Sequence, residues 1–213
     1  YAVLGAGNGG KAMAAYLALL GSQVTLYNRT SSRVEIIQLR GGIDLENLAE
    51  PHGFGKLYKV TDNMEEALRE ADIVMVIVPS SAHYDIAKAA APFLRDDHVV
   101  ILNPGRTGGA LEFRFTLAQE NCTTNPIIAE AETFLFASRS EGPSQAKIFR
   151  IKEAVPLAAL PATRTAEVLD AIRPVLPQFI DGKNVLQTWL NNMCAIFHPA
   201  LALLNAGWIE ATS

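Results

Sequence analysis

Tyr1-Ala-Val-Leu-Gly5-Ala-Gly7-Asn8-Gly9-Gly10 is the stretch that decides the fold. An apolar run enters a cluster of glycines and leaves it in a segment where Met13, Tyr16, Leu17 and Leu20 recur at helical spacing. Gly21 is a natural stop for that helix, and the next apolar segment, 23–27, returns as a strand. In such a strand-turn-helix unit each glycine has its own task. Gly5 allows the tight turn off the strand, Gly7 lets the backbone approach a pyrophosphate, and Gly10 lets the helix pack closely on the sheet. Amides at the start of the helix then face the phosphates, where the helix dipole also favours negative charge. Gly5, Gly7, Asn8, Gly9 and Gly10 are therefore expected to cradle a dinucleotide. A glycine turn with no ligand is the alternative.

Working outward, Ile73-Val-Met-Val-Ile-Val78 and the segment 98–102 are short continuous apolar runs rich in β-branched residues. That is the pattern of parallel strands buried on both faces. The segment 43–59, with Pro51, Gly53 and Gly55, reads as a hairpin or loop excursion feeding a short strand near 57–60. Ser31 or Ser32 can cap a helix that turns Val34, Ile37 and Leu39 to the core, and Asp62 or Asn63 can cap the one after it. Further strands are expected at 126–131, 134–138, 146–151 and 154–160, the later ones antiparallel because their connections are too short for helical crossovers. A helix follows over 162–176, and Leu186, Leu190, Met193, Ile196 and Phe197 suit a buried one. The whole reads as a doubly wound α/β domain over residues 1–160 and the beginning of a helical unit over 161–213. Tyr1 already lies in a strand and the last residues still read as helix, so the sequence is expected to be part of a longer chain.

With 213 residues, 49% of them hydrophobic, the chain can bury a substantial core. A net charge of -4 and the lack of any basic run argue against a nucleic-acid partner. No uncharged apolar stretch has the length of a membrane span, and no leader peptide is visible, which fits a cytoplasmic enzyme. Cys122 and Cys194 are far apart and read as two reduced thiols. The histidines have no partners at metal-ligand spacing, so no metal is expected. His83 reads as an exposed histidine at a helix start, with cofactor contact as the alternative.

Ligands of open parallel sheets bind beyond the carboxyl ends of the strands, so Pro79, after the fourth expected strand, and Asn103, after the fifth, should border the same cleft as the first glycines. At the end of the second strand a site selective for NAD carries Asp or Glu to accept the ribose hydroxyls. Tyr27-Asn28-Arg29-Thr30-Ser31 stands there instead. Asn28 is uncharged, Arg29 offers a planar fork suited to a phosphate, and Thr30 adds a hydroxyl donor. NADP is therefore expected over NAD. In the alternative, Arg29 stacks on the adenine while NAD binds through Asn28.

Three further segments carry a resemblance. They are Asn103-Pro-Gly-Arg-Thr-Gly-Gly-Ala-Leu-Glu112, Ala129-Glu-Ala-Glu-Thr133 with the continuation Phe136-Ala-Ser-Arg139, and Asn191-Asn192 ahead of Phe197-His198-Pro199 and Leu203-Leu-Asn-Ala-Gly207. Together they resemble the octopine/nopaline (opine) dehydrogenases over nearly the whole sequence. That resemblance implies a Rossmann nucleotide domain similar to that of glycerol-3-phosphate dehydrogenase, followed by an all-helical substrate domain. It also implies reductive condensation of an amino acid with an α-keto acid such as pyruvate, with hydride from NADH or NADPH.

The family's catalytic histidine maps onto His198, and an imidazole with an ordinary pKa near 6.5 exchanges protons readily at neutral pH. The aspartate that orients it in the family has no counterpart here and is expected beyond Ser213. Arg106, Thr107 and Thr133 lie on loops expected to converge on the keto-acid carboxylate, which Arg106 can bind through two parallel bonds, or else Arg106 shapes its loop. Asn192, with Asn191, is expected to support the histidine or the nicotinamide. Expected partners are thus a small-molecule amino acid and α-keto acid, with no nucleic acid and no membrane, and homodimer formation is left open. Two alternatives stand beside this reading: an enzyme like ketopantoate reductase acting on a C–O bond, and a module that binds NADP without chemistry.

Overall fold

The computed structural model describes residues 1–48, 50–191 and 194–211; Asn192, Met193 and the side chains of Cys194 and Ile196 lie outside the described residues. The chain runs β1 (Ala2–Leu4), α1 (Asn8–Leu19), β2 (Thr25–Tyr27), α2 (Glu35–Arg40), β3 (Gly42–Asn47), β4 (Gly53–Lys56), β5 (Lys59–Thr61), α3 (Met64–Leu68), β6 (Ile73–Val76), α4 (His83–Ala90), β7 (Val99–Leu102) and α5 (Gly109–Gln119). It continues through β8 (Ile127–Ala131), β9 (Phe136–Gly142), β10 (Gln145–Ile151), β11 (Val155–Leu160), α6 (Thr165–Ile172), β12 (Phe179–Asp181), α7 (Val185–Leu190), α8 (Cys194–Leu204) and α9 (Ala206–Ala211).

The main sheet has the order β5-β2-β1-β6-β7-β8-β11-β12. Its first six strands are parallel, and β11 joins β8 antiparallel. The side-chain period of two sorts the strands between two cores. Val3, Met75, Ile101 and Ala129 face one side with α1 and α6 residues. Leu4, Val76, Leu102 and Ile128 face the other with residues of α3, α4 and α5. Burial on both faces explains the uninterrupted apolar strands, as expected for a doubly wound α/β fold.

A second sheet, β4-β3-β10-β9, lies over α1. It accounts for a helix buried on every side from Gly10 to Leu17. Gly55 of β4 sits so close that a Cβ there would stand 2.7 Å from the Ala15 carbonyl oxygen. The two hairpins legible in the sequence therefore meet through parallel pairing of β3 with β10.

The structure departs from sequence expectation at three points. The main sheet does not end at Leu160, because β12 pairs parallel to β11 and α6 packs on both. Residues 161–181 thus add α6 and β12 to the main sheet. Leu39 is exposed, since the short α2 buries only Ile37. Leu186, Leu190 and Phe197 are also exposed, because among the described residues nothing covers that side of α7 and α8. Asn63 does cap α3, its Oδ1 accepting from the Glu66 N–H at 3.2 Å. Among the described residues no helix is long and apolar enough to cross a membrane.

Candidate active site

The glycine turn is built as a cradle. Gly5 has φ +115°, a left-handed value that a side chain rarely adopts, and its N–H donates to the Tyr27 carbonyl at 2.8 Å. A Cβ on Gly10 would stand 1.7 Å from the Gly5 carbonyl oxygen, so helix and turn touch backbone to backbone. A Cβ on Gly9 would meet the ring of Phe134 at 2.8 Å. Gly7 differs, since a Cβ there meets nothing within 4 Å. Its open side is the space a pyrophosphate needs. No side chain caps α1, which leaves its first amides free for an anion.

Beside the turn lies a cleft of about 350 Å³ bordered by Gly7, Asn28, Arg29, Thr30, Pro79 and Asp85, among others. Asn28 holds the turn in place: its Oδ1 accepts from the Ala6 N–H at 3.2 Å and its Nδ2 donates to the Thr30 carbonyl at 3.1 Å. Arg29 reaches across the cleft to Asp85 of α4 at 3.1 Å. Asn8 turns its side chain away from the cleft, where Oδ1 accepts the Ser140 N–H at 3.0 Å. Lys11 is buried against the same β9–β10 hairpin and donates to Ser140 Oγ and the Gly142 carbonyl, both at 2.9 Å.

At the carboxyl edge of β7, Asn103 is fully buried, and neither polar atom of its amide has a hydrogen-bond partner among the described residues. An orphaned buried amide costs about 1–3 kcal/mol, which favours a ligand or water at that position. The Gly105 N–H donates to the Ala131 carbonyl at 3.0 Å, which ties the loop after β7 to the end of β8. Arg106 projects from this loop, half-buried and with no hydrogen bond or ion pair among the described residues. Its φ of 61° is uncommon for a residue other than glycine. Thr107 is exposed on the same loop. Thr133, just past β8, accepts a hydrogen bond from Lys152 Nζ at 2.6 Å.

Beneath the loop lies Glu130, fully buried on β8. Its Oε2 accepts the Ala110 N–H at 2.9 Å, and Thr188 Oγ1 of α7 lies 2.6 Å from its Oε1. Burial pushes its pKa up to about 7, against the opposing effect of the bonds from Thr188 and Ala110. Thr188 Oγ1 also lies 2.8 Å from the Val185 carbonyl, its other acceptor. A hydroxyl has one proton, so Thr188 Oγ1 donates to only one of these two acceptors at a time.

His83 corrects the expectation of an exposed helix-start residue. It is fully buried, with both ring nitrogens lacking hydrogen-bond partners among the described residues, and burial lowers its pKa to about 4. The close approach of α5 at Gly109, where a Cβ would lie 3.1 Å from His83 Nδ1, packs the ring away from water. His198 lies exposed on α8, with no hydrogen bond or ion pair from its side chain among the described residues. The structure thus gathers the glycine turn, Asn28, Arg29, Thr30 and Pro79 around one cleft and sets Asn103, Arg106, Thr107 and Thr133 on neighbouring loops at the same sheet edge. It gives no contact from these to His198.

Arg33, Asp85, Glu130, Lys152 and Thr188 were missed in the sequence. Arg33 had a signal, four residues after Arg29 at the end of β2. The others are brought to the site by contacts distant in sequence.

Six parallel strands in this order, with a glycine turn between β1 and α1 and a cleft at the end of β2, define an NAD(P)-binding domain of the Rossmann class. Residues 1–129 match the NAD-dependent glycerol-3-phosphate dehydrogenase N-terminus, and the chain belongs to that family. The opine dehydrogenase of Arthrobacter sp. (strain 1C) is 42% identical over 214 residues, a match covering 99% of this chain and 58% of that protein. This chain thus spans little more than half the length of that curated relative. Among solved structures, octopine dehydrogenase with NADH and L-arginine superposes with a TM-score of 0.80 at 19% identity, covering 93% of this chain and 52% of that one. Yersinopine dehydrogenase bound to NADP+ gives a TM-score of 0.78 at 19% identity, covering 94% and 51%. These two likenesses concern the fold alone.

Proposed function

We propose that this chain supplies the nucleotide-binding part of an opine dehydrogenase-like oxidoreductase that condenses an amino acid with an α-keto acid, using NADPH in preference to NADH. The observation that carries it is the half-buried Arg106, without a hydrogen bond or ion pair among the described residues, set at the carboxyl edge of the sheet that also forms the glycine cradle. The opine dehydrogenase relative, similar over 99% of the chain, supports the same reading.

In this reading, Gly5, Gly7, Gly9 and Gly10, with the backbone of Asn8, hold the pyrophosphate. Asn28 fixes the turn, and Arg29 and Thr30 take the 2'-phosphate, with the exposed Arg33 beside them. Pro79 walls the cleft, and the orphaned amide of Asn103 meets the nicotinamide end. The bound dihydronicotinamide supplies hydride to the imine carbon. Arg106 holds the keto-acid carboxylate through two parallel N–H donors, assisted by Thr107 and by Thr133, whose hydroxyl Lys152 orients. Condensation of amine and ketone releases water and leaves a C=N bond. As hydride reaches its carbon, His198 gives a proton toward the nitrogen. The nucleotide unit is drawn through β12 and the helical unit after it.

Lys152 favours a second reading, in which a lysine at the sheet edge protonates the oxygen of a reduced ketone. One assay separates the two: NADPH absorbance loss with pyruvate, with and without a panel of amino acids. Turnover requires the amine in the first reading, and His198→Ala lowers it about 100-fold or more while leaving the Kd for NADP+ within about two-fold. Full turnover on the keto acid alone would overturn it.

A further inference from the structure

Among the described residues, the cleft at the end of β2 is lined by one carboxylate, and it comes from the opposite wall. Asp85 sits in the first turn of α4, whereas Arg29, Thr30 and Arg33 follow β2. The Arg29–Asp85 pair crosses between those walls at 3.1 Å, with side chains 77% and 55% exposed. An ion pair this open to water contributes little and is readily exchanged. Arg33, also on the cleft, has no hydrogen bond or ion pair from its side chain among the described residues. No acidic residue stands at the end of β2 itself, where one would accept the ribose hydroxyls of NAD and repel a 2'-phosphate.

We infer that Asp85 is a specificity-determining residue for the nucleotide: it restrains the preference for NADP from across the cleft and keeps NAD competitive. This rests on the reading that Arg29 receives the 2'-phosphate. Two effects act together. Asp85 occupies the guanidinium that the phosphate needs, so binding NADP exchanges one Arg29 partner for another. Its negative charge also faces the wall where the phosphate settles, a like-charge cost that NAD does not meet. For NAD the same carboxylate is an acceptor within the cleft, on the side where the end of β2 offers none.

Equilibrium titration of the full-length protein with NADP+ and with NAD+, at fixed ionic strength, tests this. The variants are Asp85→Asn, Arg29→Ala and the double substitution. Asp85 is exposed, so Asp85→Asn is expected to fold normally. It should tighten NADP+ binding about three- to ten-fold and leave NAD+ unchanged or slightly weaker. Arg29→Ala should weaken NADP+ about ten-fold or more while changing NAD+ little. In the double variant the gain from Asp85→Asn should shrink, because only the direct repulsion remains to be relieved. An Arg29→Ala protein that binds NADP+ as tightly as wild type removes the underlying reading of the cleft. If Arg29→Ala weakens NADP+ as expected but Asp85→Asn leaves the NADP+/NAD+ affinity ratio unchanged, the role of Asp85 is overturned while the cofactor reading stands.

Discussion

Gly7 and Gly10 lie three residues apart, and a methyl group at each would meet opposite surroundings. At Gly10 it collides with the Gly5 carbonyl, a backbone atom that cannot turn aside. Gly10→Ala should therefore destabilise the fold by at least about 3 kcal/mol, read as a lower denaturant midpoint. At Gly7 the methyl enters open space and φ is an ordinary -79°. Gly7→Ala should leave stability within about 0.5 kcal/mol but weaken nucleotide binding about ten-fold or more, since it fills the side reserved for phosphate. Equal binding by this variant and wild type would show that the turn makes no close approach to the ligand. The separate tasks of these glycines were legible in the sequence because spacing alone sets them in a strand-turn-helix unit. The buried state of His83 was not: a histidine at a helix start looks exposed until α5 packs over it at Gly109.

At the level of elements, α1 is the piece most shaped by its neighbours. Its apolar residues were visible as a helix, but a stripe on one face cannot explain why Lys11 is also buried. The explanation is the second sheet, and its closest contact is Gly55 of β4 against Ala15. Gly55→Ala should cost about 2–3 kcal/mol by prising β4 from α1. A thermal midpoint unchanged within error would contradict the rigid contact described here. The hairpins 43–56 and 136–151 each carried local turn and strand signals. Their union through β3 and β10 joins residues about one hundred positions apart, as in the pairing of Asp44 with Gln145. No local signal specifies such a pairing.

Across the molecule, two buried groups make opposite demands on pH. Glu130 has a folded pKa raised from 4.5 to about 7, so its contribution to stability is full below pH 4.5 and is lost as pH rises to about 7. His83 is lowered from 6.5 to about 4, so its contribution is full above pH 6.5 and is lost as pH falls to about 4. Between pH 4.5 and 6.5 the two slopes cancel. Glu130→Gln copies the neutral carboxyl, with its amide donating to Thr188 and its oxygen accepting from Ala110. Relative to wild type, this variant should gain about 3 kcal/mol between pH 4.5 and 7. His83→Gln should gain in the other direction, as pH falls from 6.5 to 4. Denaturation profiles for wild type and both variants across pH 4–8 decide it, and pH-independent differences would rule out these two groups as the source. The amino-acid order alone determined the doubly wound sheet, the glycine cradle and the absence of an acid at the end of β2, because these depend on periodicity and residue type over a few adjacent positions. Only the tertiary structure decided that β12 completes the sheet, that Arg29 meets Asp85, and that burial raises the pKa of Glu130 to about 7 beneath the Arg106 loop, because each depends on segments distant in sequence coming together.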